Sequence, residues 1–163
     1  MGSGKTAVGK ALAKALHFTF IDLDAYIVDK ECMEISEIFA TKGEIYFRKI
    51  ENQYLKEVLS IKNNIVLSTG GGTPCYGTNL EIINSTTNFS VYLSASIPTL
   101  TERLIKEKAK RPLIANLNDE ELPEFIGKHL FERATYYTQA KATVPVNNKT
   151  VSQIVEEIVC KLY

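Results

Sequence analysis

The chain opens MGSGKT, and Gly4, Lys5 and Thr6 supply the second half of a phosphate-binding loop, whose full pattern is G-x-x-x-x-G-K-[ST] between a strand and a helix. In a complete loop, successive backbone N–H groups and the helix N-terminus surround phosphate oxygens. The lysine reaches the outer phosphates and the hydroxyl helps hold Mg²⁺. Val8, Ala11, Leu12 and Ala15 then recur at helical spacing and predict a helix over about 5–16, with its N-terminus aimed at the anion. The loop's leading glycine would fall before Met1, and the apolar strand that normally carries it is missing. The expectation is that in-frame upstream codons encode a short apolar strand ending in Gly-x.

The order of elements extends the pattern. FTFIDLD, IVLSTGGG, FSVYLSA and ATVPV read as short buried strands, separated by apolar residues at helical spacing. One of the intervening helices is expected to break near Gly43 and resume through Ile45, Ile50, Tyr54 and Leu55. Helix is also expected from about 120 to 140, and a last amphipathic helix carries Ile154, Val155, Ile158, Val159 and Leu162. Strands alternating with helices imply a three-layer α/β domain around a parallel sheet. The 163 residues suit one domain, spanning 1–163. KAKRPLIANLNDEELP, polar and holding two prolines, is expected to form a mobile lid over about 109–123.

Charge and cysteine content narrow the partners. Lys plus Arg number 19, as do Asp plus Glu, so no net positive field draws the chain to nucleic acid or an anionic membrane. An anionic ligand must be held by local charges. Cys32, Cys75 and Cys160 lack C-x-x-C spacing and are expected to be reduced and mostly buried. No apolar run approaches the roughly 20 residues that span a bilayer, and no signal-peptide pattern is present, so the cytoplasm is the expected compartment.

Several side chains are placed where phosphoryl chemistry needs them. Asp22 and Asp24 stand two apart at the C-terminal end of the FIDLD strand, where a periodicity of two puts their side chains on one face. One acid can serve a cation and the other an attacking hydroxyl; the plainer structural use would be for Asp24 to cap the next helix. The strand IVLS ends in Ser68 and Thr69 without an acid, which moves metal binding to Asp22. Gly70, Gly71 and Gly72 offer no side chains and permit close approach of a ligand. Arg48 and Arg133 sit on helices, where a lone arginine is usually solvated, and spacing does not bring them together. Arg111 in the lid could neutralise charge on transferring phosphates, or be a solvated loop arginine.

Taken in order, GSGKT, IDLD, FRKIE, GGG, KRPL and ERATYY resemble the shikimate kinase family over residues 2 to about 140. The resemblance implies a three-layer P-loop kinase fold, with a mostly parallel sheet, helices on both faces and a lid. It implies transfer of phosphate from ATP, with Mg²⁺, to the 3-hydroxyl of shikimate, on the route to chorismate and the aromatic amino acids. By resemblance, Gly2, Ser3, Gly4, Lys5 and Thr6 bind the nucleotide and Lys5 also acts in catalysis. Asp22 and Thr6 hold the metal; Asp24 contacts the substrate hydroxyl and is the base. Arg48 and Arg133 bind the shikimate carboxylate, and Gly70, Gly71 and Gly72 line its site. Arg111 closes from the lid, Arg103 stacks on adenine, and the segment from Asn147 to Thr150 approaches it. A cytoplasmic monomer without nucleic-acid or membrane partners is expected. The alternatives are a P-loop kinase of another small hydroxylated acid, such as gluconate, and a degenerate nucleotide-binding protein unable to transfer phosphate.

Overall fold

The structure is a computed structural model that describes residues 2–108 and 114–163. Helix α1 (Lys5–Leu16) leaves a left-handed Gly4 (φ 86°) and buries Val8, Gly9 and Ala13. Gly9 is required there: a Cβ at this position would lie 2.5 Å from the Phe20 ring of β1 (Thr19–Asp22), so its absence sets how closely helix and strand approach. Helix α2 (Leu23–Glu31) follows directly, and α3 (Ile35–Leu59) is interrupted at Gly43, whose φ of 80° no helix contains. Strand β2 (Ile65–Ser68) leads through the triple glycine and a 3₁₀ turn (Thr73–Cys75) into α4 (Asn79–Thr86). Strand β3 (Val91–Ser94) then feeds α5 (Ile97–Glu107), whose first turn holds Pro98 and is capped by the Ser96 hydroxyl. The chain ends with α6 (Leu122–Tyr137), β4 (Ala142–Pro145) and α7 (Val151–Leu162), the last started by a Thr150–Gln153 capping box.

All the pairing among the described residues is parallel, as the alternating pattern implies. It forms two ladders, however, and not the single sheet expected. β1 pairs with β2 from Thr19↔Ile65 to Asp22↔Ser68, and β3 pairs with β4 from Val91↔Ala142 to Ser94↔Pro145. Between β2 and β3 lies a cavity of about 570 Å³, lined by residues that include Val8, Leu12, Leu67, Ile83 and Leu93. Each ladder has its own core. Leu23, Ile27, Ile38, Phe47, Leu55 and Val58 pack beside β1 and β2, while Leu100, Leu104, Ile126, Val144, Ile154 and Ile158 pack beside β3 and β4.

One further expectation changes. The cysteines are not mostly buried: Cys32 and Cys160 are exposed and Cys75 is partly covered. Cys32 occupies the left-handed C-cap of α2, and Cys160 lies off the Ile154, Val155, Ile158 face of α7. The lid cannot be traced whole, because 109–113, and with them Arg111, lie outside the described residues. Its remainder is anchored: Ile114 and Leu122 are fully buried, and Lys108 pairs with Asp119 at 2.7 Å.

Candidate active site

Strand β1 ends at Asp22 because its side chain turns the chain into a helix. Asp22 Oδ1 accepts from the backbone N–H groups of Asp24 (3.2 Å) and Ala25 (3.4 Å). Asp24 therefore stands in the first turn of α2 and not on the strand, which corrects the shared-strand-face expectation; the capping acid is Asp22. The two acids still divide the work. Asp22 Oδ2 accepts from the Thr6 hydroxyl at 3.0 Å, joining the start of α1 to the end of β1. Gly2 (φ 71°) and Gly4 (φ 86°) hold left-handed backbone before it, as a loop folded around an anion requires.

Asp24 faces the triple glycine. A Cβ on Gly70 would lie 3.1 Å from Asp24 Oδ1, and one on Gly72 would lie 3.1 Å from Arg48 Nη2, so the loop is bare because a carboxylate and a guanidinium press against it. Burial pushes the Asp24 carboxyl above its ordinary value, helped by the charges of Asp22 and Glu51; Lys5 and Arg48 oppose the shift. A carboxylate so placed is a stronger proton acceptor than an ordinary aspartate.

Arg48 is not a solvated helix charge. Its Nη1 donates to Glu51 Oε2 at 2.9 Å, its Nε and Nη2 face Glu44 Oε1 at 3.4 Å, and its guanidinium lies 3.7 Å from the Tyr76 ring centroid. Glu51, only 1% exposed, also accepts from the Thr73 hydroxyl at 2.8 Å. Arg133, on α6, acts electrostatically on the Cys75 thiol, as Arg48 does, and on the Tyr137 hydroxyl. Arg103 lies elsewhere, its Nη1 and Nη2 each 3.4 Å from the carbonyls of Gly2 and Val146, and so ties the loop to the segment after β4. There Asn147 Oδ1 accepts from Ser96 N at 2.9 Å.

Two contributors lie inside the quoted motifs without a role assigned to them from sequence. Glu51 follows Arg48 by three residues in FRKIE, a same-face spacing that signals a pair without signalling its burial. Tyr137 follows Arg133 by four, and its hydroxyl donates to the Gly71 carbonyl at 2.6 Å. The expected metal pair, Thr6 and Asp22, offers a hydroxyl and a carboxylate already in contact, hard oxygen donors that fit Mg²⁺. Among the described residues no group of three or more His, Cys, Asp or Glu side chains is placed to hold a metal ion.

A lysine and a hydroxyl at the head of α1, an acid pair beside them and an arginine against a bare glycine loop are the parts of a P-loop kinase of small molecules. The shikimate kinase family model matches residues 1–163, and the chain belongs to that family. It is 46% identical to a shikimate kinase of Flavobacterium johnsoniae, over 97% of this chain and 92% of the relative. To that of Azobacteroides pseudotrichonymphae it is 43% identical, over 99% and 95%. Among solved structures, Bacteroides thetaiotaomicron shikimate kinase superposes with a TM-score of 0.93 at 37% identity, covering 99% of this chain and 93% of the other. The Acinetobacter baumannii enzyme in complex with shikimate gives 0.88 at 31%, covering 99% and 88%. A gluconokinase from Sinorhizobium meliloti, at 0.59 and 18% over 99% and 86%, shares the fold alone.

Proposed function

We propose that this chain transfers the γ-phosphoryl group of ATP to the 3-hydroxyl of shikimate, giving ADP and shikimate 3-phosphate on the route to chorismate. The observation that carries it is the triple-glycine loop, which brings the carboxylate of Asp24 and the guanidinium of Arg48 against one bare stretch of backbone. A small acid bearing hydroxyls fits that arrangement: its carboxylate meets Arg48 and Arg133, leaving a hydroxyl at Asp24.

In the reaction the hydroxyl oxygen bonds to the γ-phosphorus, the bond to the bridging oxygen of ADP breaks, and Asp24 accepts the hydroxyl proton. Lys5 and the amides of Gly2, Ser3 and Gly4 hold the phosphates at the head of α1. Mg²⁺, held by Thr6 and Asp22, would neutralise charge on the phosphate oxygens. Arg111 is assigned to the lid and Arg103 to the adenine side, where its contacts to the Gly2 and Val146 carbonyls put it beside the loop. The assignment includes a monomer working in the cytoplasm; no described helix is long and apolar enough to cross a membrane.

Shikimate-dependent ADP release with ATP and Mg²⁺ tests this, run on the chain and on a version extended by an apolar strand ending in Gly-x. Turnover in either version is the expected result, with gluconate inert. Two folded proteins that bind ATP but release no ADP would favour the degenerate nucleotide binder.

A further inference from the structure

We infer that Tyr137 is a positioning residue for the substrate pocket: its phenol fastens the triple-glycine loop to the helix that carries Arg133, fixing that arginine relative to Arg48. The hydroxyl donates to the Gly71 carbonyl at 2.6 Å, a short bond for two neutral groups. The ring is held in turn by stacking on Tyr92 of β3, with centroids 4.9 Å apart and planes 30° from parallel. Tyr137 is thus trapped between a strand and the loop. It lies one helical turn beyond Arg133, on the same face of α6, and the Arg133 guanidinium acts directly on its hydroxyl.

The other side of the loop is tied to α3. Thr73 donates to Glu51, which accepts from Arg48, while Asn79 Nδ2 donates to the Thr73 carbonyl at 2.8 Å and Asn52 donates to Asn79 at 2.7 Å. A carboxylate bound by two arginines needs both at a fixed separation, yet these arginines belong to helices with separate cores. Arg48 and Phe47 belong to the half with β1 and β2, and α6 contributes Leu122 and Ile126 to the other. The loop is their common fastener, gripped by Glu51 at Thr73 and by Tyr137 at Gly71. Loss of the phenolic hydroxyl loosens the Arg133 side while leaving the phosphate site, at the head of α1, as it was.

This role rests on shikimate being the substrate, so the parent protein and Tyr137→Phe are compared in one assay. A neutral hydrogen bond contributes about 0.5–1.5 kcal/mol net, so KM for shikimate is expected to rise about 3- to 10-fold. KM for ATP and the melting temperature should hardly move, because the stacked ring is retained. In an Arg133→Ala background the same change should have little further effect on KM, since the two act through one contact. An unchanged KM for shikimate, an equal rise in KM for ATP, full additivity with Arg133→Ala, or outright loss of folding would each overturn the positioning role. A parent that turns over no shikimate but does turn over another acid would instead sink the substrate assignment, and this role with it.

Discussion

At the scale of single residues, the site spends stability on reactivity, and Asp24 shows it most directly. Its carboxyl is held above its ordinary value by burial and by two neighbouring acids. A native state that holds this proton more tightly than the unfolded chain gains stability as the pH falls through that window and bears a cost above it. At neutral pH the ionised carboxylate is therefore destabilising, and Asp24→Asn removes the charge without changing its size. The variant should lose about 10²- to 10⁴-fold in turnover, the usual contribution of a positioned base, while keeping its affinity for ATP. It should also melt higher than the parent at pH 7, with the gap narrowing toward about pH 4, where carboxylates in both states take up protons. Thermal melts across that range check the sign. A variant that melts lower at pH 7 would mean that Asp24 is held by its attraction to Lys5 and Arg48, against the balance described.

At the scale of elements, the triple-glycine loop is stiffened from outside, since its own residues cannot stiffen it. Glu51 is the inner support, a buried carboxylate paired with Arg48 and Thr73. Removing one partner of a buried pair typically costs about 3–5 kcal/mol. Arg48 retains its contact with Glu44, so Glu51→Gln should sit near the lower end, about 3 kcal/mol by urea unfolding. KM for shikimate should rise together with the loss of stability; a rise in neither would make Glu51 a bystander. Much of this was legible in the sequence. The span of α1 follows from periodicity, the break in α3 from Gly43, and the phosphate site from GSGKT, because each is dictated by neighbours along the chain. What was not legible depends on distant partners. The strand ends at Asp22 because that side chain caps α2, and the next acid passes from strand to helix. An arginine followed three residues later by a glutamate looks the same in sequence whether it is solvated or sealed beneath a loop. That Arg48 and Arg133 both act on the Cys75 thiol depends on how α3 and α6 are placed, and neither helix encodes it alone.

At the scale of the whole molecule, the two ladders and their separate cores meet across the cavity between β2 and β3. That space, about 570 Å³, is open on one side, and the backbone groups along both inner edges lack strand partners. An extended apolar strand added in this space would find backbone partners on β2 and β3 and merge the two ladders into one sheet. An N-terminal extension of about five β-branched residues ending in Gly-x should raise stability by on the order of 5 kcal/mol, each buried Val or Ile contributing about 1.5–3 kcal/mol less the entropy of ordering it. A Gly/Ser extension of equal length should contribute almost nothing. Amide exchange locates the effect: protection should increase along β2 and β3, whose inner edges gain partners, more than along β1 and β4. Equal stabilisation by both extensions, or protection spread evenly over the four strands, would mean that the cavity closes without a strand. In that case the two ladders are coupled through contacts already present, those of α1 and the glycine loop among them.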